Sequence, residues 1–269
     1  MSVESVDDLF AAALTGDRED DAAWAAVRKL HLFEGREVLE RAIDLTRSND
    51  PYRRARGADV LGQLGVQPGV FSTSWVPERL QSLLALLRRE SDSLVLNAAI
   101  AALGFLSEPE GIRAILPYHE HSDENVRYAV ACALPNGLGG EPEIIDTLLK
   151  LMRDPDSDVR DWATFGLGTQ SDADSTAIRD ALFERLQDSD YDTRAEAAVG
   201  LAKRKDLRAL PVIIEELESE QYGILFEEAA SYLLDLDGEK PEGWESWRYV
   251  EELRTHFNVH DQAAIKYIT

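Results

Sequence analysis

The sequence is short of the residue types that usually betray chemistry. Cysteine occurs once, at Cys132, so no internal disulfide can form, and no Cys-x-x-Cys pair marks a zinc or redox site. No apolar run approaches the roughly 18 residues that a membrane-spanning helix needs. The first eight residues, Met1 to Asp8, carry acid where a secretion signal carries base, so a cytoplasmic protein is the expectation. Positive charge is scarce: 28 Lys and Arg face 51 Asp and Glu, a formal net charge of −23. A chain this negative repels phosphate backbones and anionic leaflets, which argues against nucleic-acid and membrane partners. An alternating strand pattern is missing as well.

What is present is a hydrophobic fraction of 44%, enough to fold, and a repeat. Asp154-Pro155-Asp156-Ser157-Asp158-Val159-Arg160 leads into Ala163 and Gly166-Leu167-Gly168. Asp188-Ser189-Asp190-Tyr191-Asp192-Thr193-Arg194 leads into Ala197 and Gly200-Leu201-Ala202. Copies surround Arg54 and Arg127, and weaker ones have Leu96 or Glu227 in place of the arginine. The anchors Leu103, Leu134, Leu167, Leu201 and Leu234 lie 31, 33, 34 and 33 residues apart. The longer step from Leu61 to Leu103 places an extra loop at Gly65 to Trp75.

Apolar residues recur at three and four within each copy: Val159, Ala163, Gly166, Leu167 and Gln170 share one helical face. A second amphipathic segment precedes each copy, as in Ile144, Leu148, Met152 or Leu210, Ile213, Ile214, Leu217. Each repeat is therefore a helical hairpin whose apolar face needs a neighbour, and small residues such as Gly166 and Gly200 allow close approach. The chain is expected to be an all-α, right-handed α-solenoid of about six or seven hairpins. Residues 5–31 form an N-terminal capping hairpin, 35–236 the repeats, and 241–269 a C-terminal cap in which Trp244 and Trp247 close the last apolar face.

The pattern Asp, Val-Arg, Ala, Gly-Leu-Gly resembles HEAT repeats of the short bacterial form that also occurs in phycobilin lyases, over roughly residues 17–236. The resemblance implies a ladder between neighbouring repeats built from the arginine and the aspartate six positions before it. Here that means Asp154 with Arg160 and Asp188 with Arg194, while His121 and Ser48 replace the aspartate in two copies. It also leaves two other functions to weigh: a chromophore lyase or its chaperone subunit, and a DNA glycosylase of HEAT-like hairpins, which the charge disfavours.

Catalytic and metal patterns fail on inspection. Asp154, Asp156, Asp158 and Asp188, Asp190, Asp192 begin like calcium loops, but Val159 or Thr193 stands where glycine is needed and Phe165 or Val199 where a bidentate glutamate is needed. Aspartates ahead of a helix are better explained as caps. His256 and His260 lack a third ligand, and Gly137-Leu138-Gly139-Gly140 lacks the lysine of a phosphate loop. No enzyme activity, cofactor or metal is expected.

If the apolar face of the second helices points inward, positions matching 158, 161 and 165 point outward on the concave side. They read Asn125, Tyr128, Cys132; Asp158, Asp161, Phe165; Asp192, Ala195, Val199; and Glu228, Tyr232. With Trp162 and Glu196 beside them, they make an acidic stripe with aromatics between. The expected partner is a basic protein, held by Asn125, Tyr128, Asp158, Asp161, Trp162, Phe165, Asp192, Glu196 and Tyr232, as an immunity-type inhibitor or adaptor would hold it. The unbound protein is expected to be a monomer.

Overall fold

The computed structural model describes residues 4–33, 35–65, 74–137, 139, 141–219 and 223–259. The described chain is helical and separates into two compact units, Met1–Gly137 and Leu138–Thr269.

In the first unit four hairpins follow one another: α1 (Val6–Ala13) with α2 (Asp21–His31), α3 (Arg36–Thr46) with α4 (Pro51–Gln63), and α5 (Val76–Leu87) with α6 (Ser93–Leu106). The fourth pairs α7 (Pro109–Ile115), prolonged by a 3-10 turn over Leu116–Glu120, with α8 (Glu124–Ala133). The second helices form a layer in which α4 lies between α2 and α6, and α6 between α4 and α8. The second unit repeats this with α9 (Pro142–Leu151) and α10 (Ser157–Phe165), α11 (Thr176–Arg185) and α12 (Tyr191–Lys203), and α13 (Leu210–Leu217) and α14 (Ile224–Leu233). Then α15 (Ser246–His256) packs on α13 and α14.

The repeat-defining acids start the helices. Asp50, Asp92, Asp123, Asp156 and Asp190 are the N-caps of α4, α6, α8, α10 and α12, each accepting from a backbone N–H two or three residues on. Such a cap contributes about 1 kcal/mol. The side chains that resemble the start of a calcium loop are thus occupied in turns: Asp154 accepts from the Asp156 N–H at 2.9 Å and Asp156 from Asp158 and Val159.

The ladder implied by the resemblance exists, but its pairing differs. Arg160 donates to the carbonyls of Asp154 and Pro155 in its own hairpin and, through Nε and Nη2, to both carboxylate oxygens of Asp188 in the next. Arg54 does the same with the Ser48 and Asn49 carbonyls and Glu90. The arginine therefore reads the i−6 residue through its backbone, which explains why Ser48 and His121 are tolerated there: Arg127 donates to the His121 carbonyl at 2.8 Å. At the last repeat the sign reverses, with buried Glu227 accepting from Lys240 at 2.6 Å.

Close approach of the second helices is real at Gly200. A Cβ on Gly200 would meet the Cα of Gly168 at 2.6 Å, so the crossing of these two helices at Gly168 and Gly200 demands glycine. Here α10 opens into a π-turn over Gly166–Gln170, which leaves Gln170 exposed instead of on the apolar face. The freed carbonyls are collected by buried Arg204, which donates to the oxygens of Leu167, Gly168, Ser171, Ala173 and Gly200. Arg79 does a similar job in the first unit, donating to Leu61, Gly62 and Ser74 carbonyls. Burial lowers its pKa to about 10.

Val250 and Leu253 of α15 are buried and Trp244 sits edge-on to buried Tyr249 at 5.0 Å, but Trp247 is 62% exposed and closes nothing. The loop expected at Gly65 to Trp75 falls largely on 66–73, and His260 on 260–269, both outside the described residues. Among the described residues no helix is long and apolar enough to cross a membrane.

Candidate functional site

The second helices of the Leu138–Thr269 unit gather carboxylates. Asp158 and Asp161 project from α10, Asp192 and Glu196 from α12, and Glu228 from α14. Among the described residues none of these five lies within ion-pair distance of a lysine or arginine, although the same unit pairs Asp188, Asp206 and Asp174 with arginines. Instead Asp161 and Glu196 feel the charges of their carboxylate neighbours, and Glu228 that of Lys203.

Asp161 shows the effect most clearly. Its pKa is pushed up to about 6, first by burial and then by the charges of Asp190, Asp192 and Asp158. Its Oδ1 is enclosed with no hydrogen-bond partner. Glu196 rises to about 7, again chiefly by burial, with Asp161, Glu228 and Asp192 adding to it. A hydrogen bond from the Thr169 hydroxyl at 2.7 Å opposes the rise. Burial raises Glu228 too. A carboxyl group with a raised pKa is one whose ionised form the fold disfavours.

Aromatic surface lies beside the acids. Trp162 and Phe165 meet edge to face at 5.6 Å, both half-buried. Half-buried Tyr232 packs its ring against the turn at Gly238, where a Cβ would touch its Cζ at 2.8 Å.

Of the residues expected on the stripe, Asp158, Asp161, Trp162, Phe165, Asp192, Glu196 and Tyr232 belong to this unit. Asn125 and Tyr128 belong to the first unit, where Asn125 is exposed and its carbonyl accepts from Asn97 at 2.8 Å. Two outward positions are corrected: Ala195 and Val199 are fully buried, because α12 is covered by both α10 and α14. Glu196, one residue round the helix from Ala195, is half-buried and reaches the acidic face instead. Asp190 enters the cluster unannounced, since its role as an N-cap conceals its charge in the sequence.

Stacked helical hairpins, capped by aspartate and stitched by arginine, define an all-α helical-repeat scaffold. The family model for HEAT repeats matches residues 6–104, 80–168 and 145–233, and the chain belongs to that family. Protein YibA of Escherichia coli K12 is 29% identical over 222 residues, which cover 79% of this chain and 74% of YibA. The X-ray structure of E. coli YibA matches at a TM-score of 0.71 and 25% identity, covering 98% of this chain and 91% of that one. The archaeal HEAT-like repeat protein of Thermococcus onnurineus shares the fold, with a TM-score of 0.54 and 18% identity over 88% of this chain and 100% of that one.

Proposed function

We propose that the protein is a non-catalytic binding scaffold whose acidic second-helix face in the Leu138–Thr269 unit receives a basic protein surface. The observation that carries this reading is the set of five carboxylates on three successive helices with no cation paired to any of them. Asp161, Glu196 and Glu228 are half-buried and their ionised forms are disfavoured, which lowers stability wherever they must ionise. A partner's lysines and arginines would remove that penalty and be steered toward the face from a distance. Trp162, Phe165 and Tyr232 would supply the apolar contact that charge alone lacks. An immunity-type inhibitor covering the cationic working surface of its target, or an adaptor gripping one, fits these requirements. A nucleic-acid partner does not, because phosphate would meet the same five carboxylates.

The test compares two triple charge reversals of equal net charge. Asp158, Asp161 and Asp192 to lysine should abolish capture of a basic protein from an extract of the source cells. Glu143, Asp146 and Glu215, exposed on the first helices of the same unit, serve as the control and should leave it intact. Association should slow as salt rises through the range where the Debye length falls below about 8 Å. Equal loss in both variants would reduce the effect to bulk charge, and loss in neither would move binding to another surface.

A further inference from the structure

In the Leu138–Thr269 unit each second helix but the last has another beyond it. α12 lies between α10 and α14, whereas α14 packs on α12 and on the first helices α13 and α15, and among the described residues no second helix flanks its other side. The side chains there are left open. Val199, nine residues past the cap of α12, is fully buried, but Tyr232, nine past the cap of α14, is only half-buried. Ile224 stands where Tyr191 does in α12; the Tyr191 hydroxyl accepts from the Gly223 N–H at the start of the next second helix, while Ile224 is 74% exposed.

The chain after α15 repeats the spacing of a hairpin. α15 lies against α13 and α14 as a first helix does, and beyond its end Val259 is buried, its N–H donating to the Arg254 carbonyl at 2.8 Å. Asp261 follows His256, the last residue of α15, by five residues, as Asp92 follows Leu87, Asp156 follows Leu151 and Asp190 follows Arg185. Those three aspartates cap second helices. The third and seventh residues past the cap are buried in α6, α8, α10, α12 and α14, as Val159 and Ala163 or Phe226 and Ala230 show. From Asp261 the same count reaches Ala264 and Ile268. Second helices also meet in a constant register. Gly62 and Gly104, twelve past their caps, approach Ala102 and Ala133, ten past theirs, so closely that an added Cβ would lie 3.0 and 2.6 Å away, and Gly168 and Gly200 keep the same offset of two.

We propose that residues 261–269, which lie outside the described residues, cover the open side of α14 as the second helix of a seventh hairpin. The offset of two sets Ile268, seven past Asp261, on the ring of Tyr232, nine past the cap of α14. Nine helical residues reach about 13 Å, within one turn of the length of α14. Burial of apolar surface between stacked neighbours drives this contact as it drives the other hairpins together. Charge agrees with the placement: Lys266, five past Asp261, occupies the position of Asp161 and Glu228 in their helices and brings a cation to the Glu228 end of the acidic face. The inference uses none of Asp158, Asp161 and Asp192, on which the proposed partner depends, so either reading can fail alone.

The test is a nuclear Overhauser measurement on the full chain with labelled isoleucine methyls. The Ile268 signal, assigned by its loss in Ile268→Val, should show a cross-peak to the Tyr232 ring. That cross-peak should be missing between chains in a mixture of labelled and unlabelled protein. Hydrogen exchange read by mass spectrometry supplies a second readout. Ile268→Asp should speed exchange across Ile224–Leu233 by about tenfold or more, because a carboxylate cannot stay buried there and the segment must leave α14. Ala263→Asp changes the charge equally but lies two past Asp261, where the matching Asp158 and Asp192 are exposed, and should leave exchange unaltered. Absence of the Ile268–Tyr232 cross-peak, a cross-peak only between separate chains, or equal exchange in the two variants would overturn the inference.

Discussion

The two units share a repeat but not an electrostatic plan. Residues 1–137 hold 21 acidic and 14 basic side chains, and residues 138–269 hold 30 and 14. In the first unit Arg18 and Arg56 share the Asp59 carboxylate and lie over the Trp24 ring. The corresponding helices of the second unit carry Asp158, Asp161, Asp192, Glu196 and Glu228, none of them ion-paired among the described residues, although Lys203 opposes the rise at Glu228. What differs is the face rather than the frame. Buried arginines hold the helix ends in both units, and the ladder Arg54–Glu90 has its counterpart in Arg160–Asp188. The frame is built from groups that satisfy one another, and the second unit's face from groups that do not.

The largest expected effect probes the frame. Arg204→Met removes donors from five carbonyl groups and Arg79→Met from three. Stranding that many acceptors should cost Arg204 about 3 kcal/mol or more and Arg79 somewhat less. Urea unfolding gives the totals, and amide exchange should place each loss in its own unit. A larger loss at Arg79 would reverse the ranking that the structure assigns.

Arg160→Ala and Arg54→Ala should each cost about 2 kcal/mol, because the Asp188 and Glu90 carboxylates left behind have side chains only 3% and 6% exposed. Burial works against ionisation of Asp188, but Arg160, the Asp190 N–H and Arg185 outweigh it and hold its pKa below the ordinary carboxylate value. Glu90 is held low in the same way by Arg54. A depressed carboxyl stabilises the fold above the unfolded pKa, and that contribution disappears as pH falls through the folded one. The deficit of both variants should accordingly shrink in acid. A deficit in urea midpoint that is constant from pH 7 to pH 3 would mean that the pairs contribute packing alone.

The smallest effect separates the two tryptophans of the terminal segment. Trp247→Ser should change stability by no more than about 0.5 kcal/mol, as at an ordinary surface site, whereas Trp244→Ser strips a ring from Tyr249 and should cost about 1 kcal/mol or more. Calorimetry on the two variants decides this.

The frame was legible because stacking imposes a period. From Asp92 onward the aspartate caps recur every 31 to 34 residues, with the arginine and small residues at fixed offsets in the copies that hold them, each for a local reason that one hairpin suffices to express. The details that escaped depend on what two hairpins do together. Arg160 names its acid only once the next repeat is in place, and the π-turn after Phe165 follows from how α10 ends against α12. Ala195 and Val199 fit an outward reading by helical angle, yet α12 is flanked on both sides and buries them. Glu196 and Asp161 were visible as acids, but their raised pKa values arise from burial, which no spacing encodes.

The central claim is that the acidic face of the second unit is held against the interest of the fold. It is tested most directly by measuring the stability of the double variant Asp161→Asn, Glu196→Gln against the parent from pH 4 to pH 8. A raised carboxyl pKa stabilises the fold below the unfolded value, and that benefit is lost as pH rises through about 6 for Asp161 and about 7 for Glu196. The variant carries neutral groups at every pH, so it should match the parent near pH 4 and exceed it at pH 8. The expected gain is about 1 kcal/mol per site once partial exposure and solvent screening are allowed for. A double variant that is less stable than the parent at pH 8 would show that the ionised carboxylates support the fold, and would contradict the account.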